Sequence, residues 1–130
     1  MRRVEAERLI KQAERDLENA RRNVDIGAYE VAAFLANQAV EKYLKGAWIV
    51  IKGEAPPHTH SLTELGDRLG VPTATREPLG YLNADYTTAR YPDAANGIPY
   101  EVYDRPMAER KVRAAEEALE WLRRLTRTNR

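Results

Sequence analysis

With 130 residues, of which 43% are hydrophobic and 32% charged, the chain has the size of one domain and enough apolar content to bury a core unaided. It contains no cysteine, which excludes disulfides, thiolate nucleophiles and zinc–thiolate sites, and its formal charge of +1 excludes a general nucleic-acid coat, whose domain is strongly basic. The first residues are charged throughout and no apolar run approaches the ~18 residues of a membrane span, so the expectation is a cytoplasmic protein with no membrane contact.

Residues 2–26 read as the first helix, because Ala6, Ile10, Ala13, Leu17, Ala20 and Val24 recur in steps of four and three, and Gly27 ends it. Residues 28–52 follow as a long apolar helix. Its polar side chains Glu30, Asn37, Gln38, Glu41, Lys42, Lys45 and Lys52 fall in one wedge of the helical wheel, and the rest of the circumference is apolar. A helix of that kind is covered on more than one side, so it is expected at the centre of a bundle. The paired prolines of EAPPHTH then rule out helix. Ser61 with Glu64 three residues on has the form of a capping box, opening a short helix that carries Leu62, Leu65 and Leu69 inward and ends at Gly70. A fourth helix is expected to start near Pro78 and run through Leu79, Leu82, Tyr86 and Ala89 to about Arg90. Residues 92–104, with Gly97 and Pro99, read as a long loop of the sort that carries function. Pro106 opens the last helix, to about Arg127, on Ala108, Val112, Ala115, Leu119 and Leu122. The fold expected is all-α: one domain over residues 1–130, an antiparallel up-down four-helix bundle with one additional short helix in a crossover.

Basic side chains gather at the two ends of the chain, in Arg2, Arg3, Arg21, Arg22, Arg123, Arg124, Arg127 and Arg130. They are expected to form a salt-bridged face, or a basic patch if the terminal helices lie side by side. Arginine outnumbers lysine, which with the lack of cysteine points to a GC-rich or thermophilic source. At the end of the central helix, Trp48, Ile49, Val50 and Ile51 place apolar groups all round one turn. One side of that turn is expected to lack cover within the chain, and a homodimer, or a dimer of dimers, is the commonest way to bury it.

Three groups carry possible chemistry. Asn37, Glu41 and Lys45 line up at i, i+4 and i+8, with Gln38 and Lys42 one step round, a stripe that is either solvated and ion-paired or the wall of a polar pocket. His58 and His60 share a Pro-flanked loop, but no third ligand is spaced to complete a metal site, so neither metal nor cofactor is expected. Tyr86, Arg90, Tyr91 and Asp93 bunch where the fourth helix meets the long loop. A cationic fork among aromatic rings suits a phosphate or a stacked base, and Arg90 is equally a candidate tie to Asp85, Glu41 or Asp93.

The blocks NQAVEKYLKG, PPHTHSLTEL and DYTTARYP, in that order across nearly the whole chain, make it similar to the HEPN domain, named for higher eukaryotes and prokaryotes nucleotide-binding. The resemblance implies an all-α bundle, generally dimeric and often encoded beside a minimal nucleotidyltransferase. It also implies nucleotide binding or, in toxin–antitoxin branches, RNA cleavage. The family's motif positions fall on Gln38, Glu41, Lys45, His60, Arg90 and Tyr91. The RNA-cleaving branches place a His four to six positions after their Arg, whereas here no His follows Arg90 at all. Arginine cannot exchange protons near neutral pH, so ribonuclease chemistry lacks its acid–base group in that segment. The expectation is therefore a non-catalytic module that binds a nucleotide such as ATP or GTP, or a nucleotidyltransferase partner. Its ligand set comprises Asn37, Gln38, Glu41, Lys42, Lys45, His60, Arg90, Tyr91 and Asp93. RNA is not favoured as a ligand. The alternatives are a toxin-like ribonuclease that uses His60 with Arg90, and a pure interaction scaffold.

Overall fold

The computed structural model describes residues 2–129, all of whose regular structure is helical. Three long helices make the trunk: α1 (Arg2–Asp25), α2 (Tyr29–Lys52) and α8 (Arg105–Thr128). Between α2 and α8 the chain runs through α3 (Leu62–Arg68), α4 (Thr73–Asn83) and three single turns, α5 (Asp85–Thr88), α6 (Pro92–Ala95) and α7 (Pro99–Val102). Helix α2 touches α1, α8, α3, α4 and α5, as its broad apolar surface requires.

The trunk forms where periodicity and end signals agree. Gly27 takes φ 80°, a left-handed conformation open to glycine at little cost, and turns α1 into α2. The two helices then approach closely enough that a Cβ on Gly46 would meet Ile10 Cγ1 at 2.7 Å and the Ala6 carbonyl at 3.2 Å. Asp104 caps α8 by accepting from Met107 N at 2.9 Å, and Ser61 Oγ caps α3 by accepting from Glu64 N at 3.2 Å. One continuous core joins Ala13, Leu17 and Ala20 of α1 to Ala36, Val40 and Leu44 of α2 and to Ala115, Ala118 and Leu119 of α8.

Four expectations change. The fourth helix begins at Thr73, with Pro72 as its cap, and Pro78 lies inside it. The proline is tolerated because the carbonyl it leaves unpartnered belongs to Ala74, in the exposed first turn. That helix also breaks at Ala84 and does not continue to Arg90, and the Leu82 carbonyl freed at the break accepts from Asn37 Nδ2 at 2.9 Å. Residues 92–104 are not structureless, since each proline starts a single helical turn. Lastly, Trp48 and Ile49 are buried by the chain itself, with Leu62 and Leu65 of α3 in the same cluster as Trp48, so only Val50 and Ile51 stay half-buried.

The terminal arginines form an ion-paired face. Arg21 reaches Glu116 at 2.7 Å and Arg123 reaches Glu14 at 2.6 Å, tying α1 to α8, while Arg22 and Arg124 pair along their own helices with Glu18 and Glu120. Arg130 lies outside the described residues. No helix among the described residues is long and apolar enough to cross a membrane.

Candidate functional site

The polar wedge of α2 divides three ways. Asn37 is fully buried and its amide is spent on the Leu82 carbonyl, while Gln38 Nε2 donates to Asn37 Oδ1 at 3.1 Å. Lys42 turns to α1 and pairs with Asp16 at 2.5 Å. Asn37 and Lys42, both expected against a ligand, are thus ties between helices, because each finds its partner on a neighbouring element. Glu41, only 6% exposed, takes Lys45 Nζ at 3.1 Å and His60 Nδ1 at 3.1 and 3.2 Å on its two oxygens.

The loop before α3 lays the His60 ring on Tyr86 of α5, with centroids 3.8 Å apart and planes 17° from parallel. Arg90 follows one turn later and donates from Nε to the Tyr86 carbonyl at 2.7 Å. Its guanidinium carbon stands 4.4 Å from the Tyr86 ring centre, 4.8 Å from Phe34 and 5.1 Å from Tyr91. His60 and Arg90 therefore share contact with one aromatic ring, and no hydrogen bond joins their side chains among the described residues. Tyr91 is 52% exposed, and Asp93 is exposed on α6 and joins none of these contacts. His58 is exposed, and no cluster of metal-ligating side chains occurs among the described residues.

Every carboxylate that had been a candidate partner for Arg90 is engaged elsewhere or stands apart. Glu41 holds Lys45 and His60. Asp85, 2% exposed, accepts from Tyr103 Oη at 2.5 Å on one oxygen, and its other oxygen has the Lys111 ammonium of α8 at 2.8 Å as a charge contact. Lys111 Nζ also donates to the Tyr81 carbonyl at 2.6 Å. Burial raises the Asp85 carboxyl above the usual range, against the opposing pull of Lys111 and Tyr103. Burial first, and the Asp85 carboxylate second, push the Tyr103 phenol up, so it stays a donor. Among the described residues the two terminal nitrogens of the Arg90 fork have no hydrogen-bond or ion-pair partner, and they stand among aromatic faces, an arrangement that can receive a phosphate bidentately.

Sequence reasoning missed Phe34, Tyr103 and Lys111. Phe34 is legible in retrospect, since it stands seven residues before Glu41 on the same helical stripe. Tyr103 and Lys111 carry no such signal, because their partner Asp85 is far from both along the chain.

The family model described as HEPN domain matches residues 6–125. Two solved structures share the fold. TT1696 from Thermus thermophilus is 30% identical, with a TM-score of 0.86 over 96% of this chain and 99% of its own. ST0689, an archaeal HEPN homologue, is 36% identical, with a TM-score of 0.81 over 93% of this chain and 97% of its own. No protein of curated function matches the chain.

Proposed function

The chain belongs to the HEPN domain family, and from that premise we propose that it is a non-catalytic binding module for a phosphate-bearing nucleotide, free or presented by a minimal nucleotidyltransferase. Arg90 carries the reading. Its guanidinium is surface-accessible and without an ion pair among the described residues, it is cradled by three aromatic rings, and Tyr86 fixes its direction through a 2.7 Å bond to Nε. Such a fork meets two phosphate oxygens without first giving up a carboxylate. Lys45 is paired at 3.1 Å with Glu41, the carboxylate that also holds His60, so the free positive charge of the site is that of Arg90. The module acts as a homodimer in which two Arg90 segments face one cleft, and exposed Tyr91, Ile98 and Tyr100 offer apolar surface for that contact.

Calorimetric titration with ATP, GTP and short RNA tests the ligand. The expected result is salt-dependent binding of at least one of them, lost in Arg90→Ala; no binding by wild type would remove the ligand, and intact binding in Arg90→Ala would remove Arg90. Light scattering at micromolar concentration tests the dimer, which a monomeric mass would rule out.

One contact favours a second reading, ribonuclease. Glu41 grips His60 through Nδ1, the way a carboxylate orients an imidazole for proton transfer, and leaves Nε2 for a substrate. RNA cleavage lost in His60→Ala would install this reading in place of the first, and absence of cleavage would close it.

A further inference from the structure

The segment between Arg90 and α8 leaves the bundle and returns to it within one small neighbourhood. It departs at Arg90, whose Nε bonds the Tyr86 carbonyl at 2.7 Å. It comes back at Tyr103, 3% exposed, whose hydroxyl donates to Asp85 at 2.5 Å. Asp85 and Tyr86 are adjacent residues of α5, so one short turn receives both ends. That turn is four residues long and has little hydrogen bonding of its own with which to keep its orientation. Lys111 supplies the fixed point, because it stands on the rigid 24-residue α8 and meets both Asp85 and the Tyr81 carbonyl of α4.

Burial of this network runs against stability. An ion pair out of water gains little or nothing over apolar side chains of the same volume, so its benefit is directional: it fixes one arrangement. The arrangement fixed is that of α5, whose Tyr86 supplies both the acceptor for Arg90 Nε and the ring under its guanidinium. Phe34, the second ring under Arg90, belongs with Tyr103 to the small apolar cluster around Ala33 and Ala89.

We propose that Tyr103 is a positioning residue for Arg90: its bond to Asp85, backed by Lys111, holds α5 so that the guanidinium points its free edge outward. The proposal rests on the reading of Arg90 as the phosphate contact, and it explains how an exposed side chain two residues beyond a four-residue turn keeps a single direction. Tyr103→Phe removes the hydroxyl and keeps the ring, so the cluster around Ala33 and Ala89 stays filled.

The test compares wild type, Tyr103→Phe and Val112→Ala, the last a core truncation in α8 at a residue outside the network. Two quantities are read: exchange of the Arg90 Nε–H by NMR, and affinity for ATP by calorimetry. In Tyr103→Phe the Nε–H exchanges about tenfold faster and ATP binds about tenfold more weakly, as loss of one directing hydrogen bond implies. In Val112→Ala, destabilised through packing alone, neither quantity moves. Unchanged Nε–H exchange in Tyr103→Phe overturns the proposal, as does an equal change in Val112→Ala. If wild type binds no ATP while the Nε–H responds to Tyr103→Phe alone, the positioning role stands and the nucleotide reading falls.

Discussion

The trunk of α1, α2 and α8 and the arm of α4 to α7 beside it are held by different forces. In the trunk, alanines and leucines interlock, many charged residues pair at the surface as Arg22 does with Glu18, and the buried carboxylates Asp16 and Glu41 each hold a lysine. In the arm, helices shrink to single turns and orientation comes from polar groups buried at fixed distances: Asn37 on Leu82, and Tyr103 and Lys111 on Asp85. Apolar packing depends on how much surface is covered and tolerates small shifts. Buried hydrogen bonds and ion pairs depend on angle and distance, and fail when one partner leaves. A protein that must aim a guanidinium from a surface turn gains more from the second kind of construction, and the arm depends on it, whereas the trunk adds to its apolar core only single buried ties such as Lys42 on Asp16.

The sharpest break of this comparison is Lys111→Met, which strands the Asp85 charge. Chemical denaturation should show a loss of about 3–5 kcal/mol, most of it recovered when Asp85→Asn is added. If the double variant is no better than the single, the arm is held by packing like the trunk. Leu44→Ala, in the trunk, should cost about 2–5 kcal/mol and show no such rescue by any one partner. Gly46→Ala tests close packing of α1 on α2. The added methyl forces Ile10 aside, at a cost of about 1–3 kcal/mol, and a neutral result would mean the two helices separate freely.

Asp85 also sets a pH signature. Its folded-state pKa is raised by burial, so the stability linked to it is present below the ordinary carboxylate value and is lost as pH rises through the raised one. Relative to Asp85→Asn, wild type should therefore lose stability across that window, and a gain there would reverse the assignment. The smallest effect belongs to Arg22→Ala: its pair with Glu18 is about half exposed and should be worth under ~0.5 kcal/mol.

The same division explains what the sequence made legible. Trunk helices announce themselves through steps of four and three, and through Gly27 and Pro106 at their ends, so α1, α2 and α8 are readable to within a few residues, and α3 through Ser61 and Gly70. Arm structure depends on contacts between distant residues. Nothing local says that Asn37 will cap the break after Leu82, or that Pro78 will sit inside a helix opened by Pro72. Within the site, Glu41 could be picked out from its place on the polar stripe, Arg90 from its aromatic neighbours, and His60 only through the resemblance to the HEPN motif. That Glu41 grips His60 and leaves Arg90 unpaired follows only from the fold, which assigns Asp85 to Lys111.

Both tryptophans, Trp48 and Trp121, belong to the trunk; Trp48 is 4% exposed with its indole N–H unbonded, and the aromatic residues around Arg90 are Phe34, Tyr86 and Tyr91. The molecule is thereby divided optically as well as mechanically. Tryptophan emission should therefore follow melting of the trunk, since neither tryptophan is among the rings packed on Arg90. Unfolding can thereby be followed by emission alone while binding is measured by heat, with no label added.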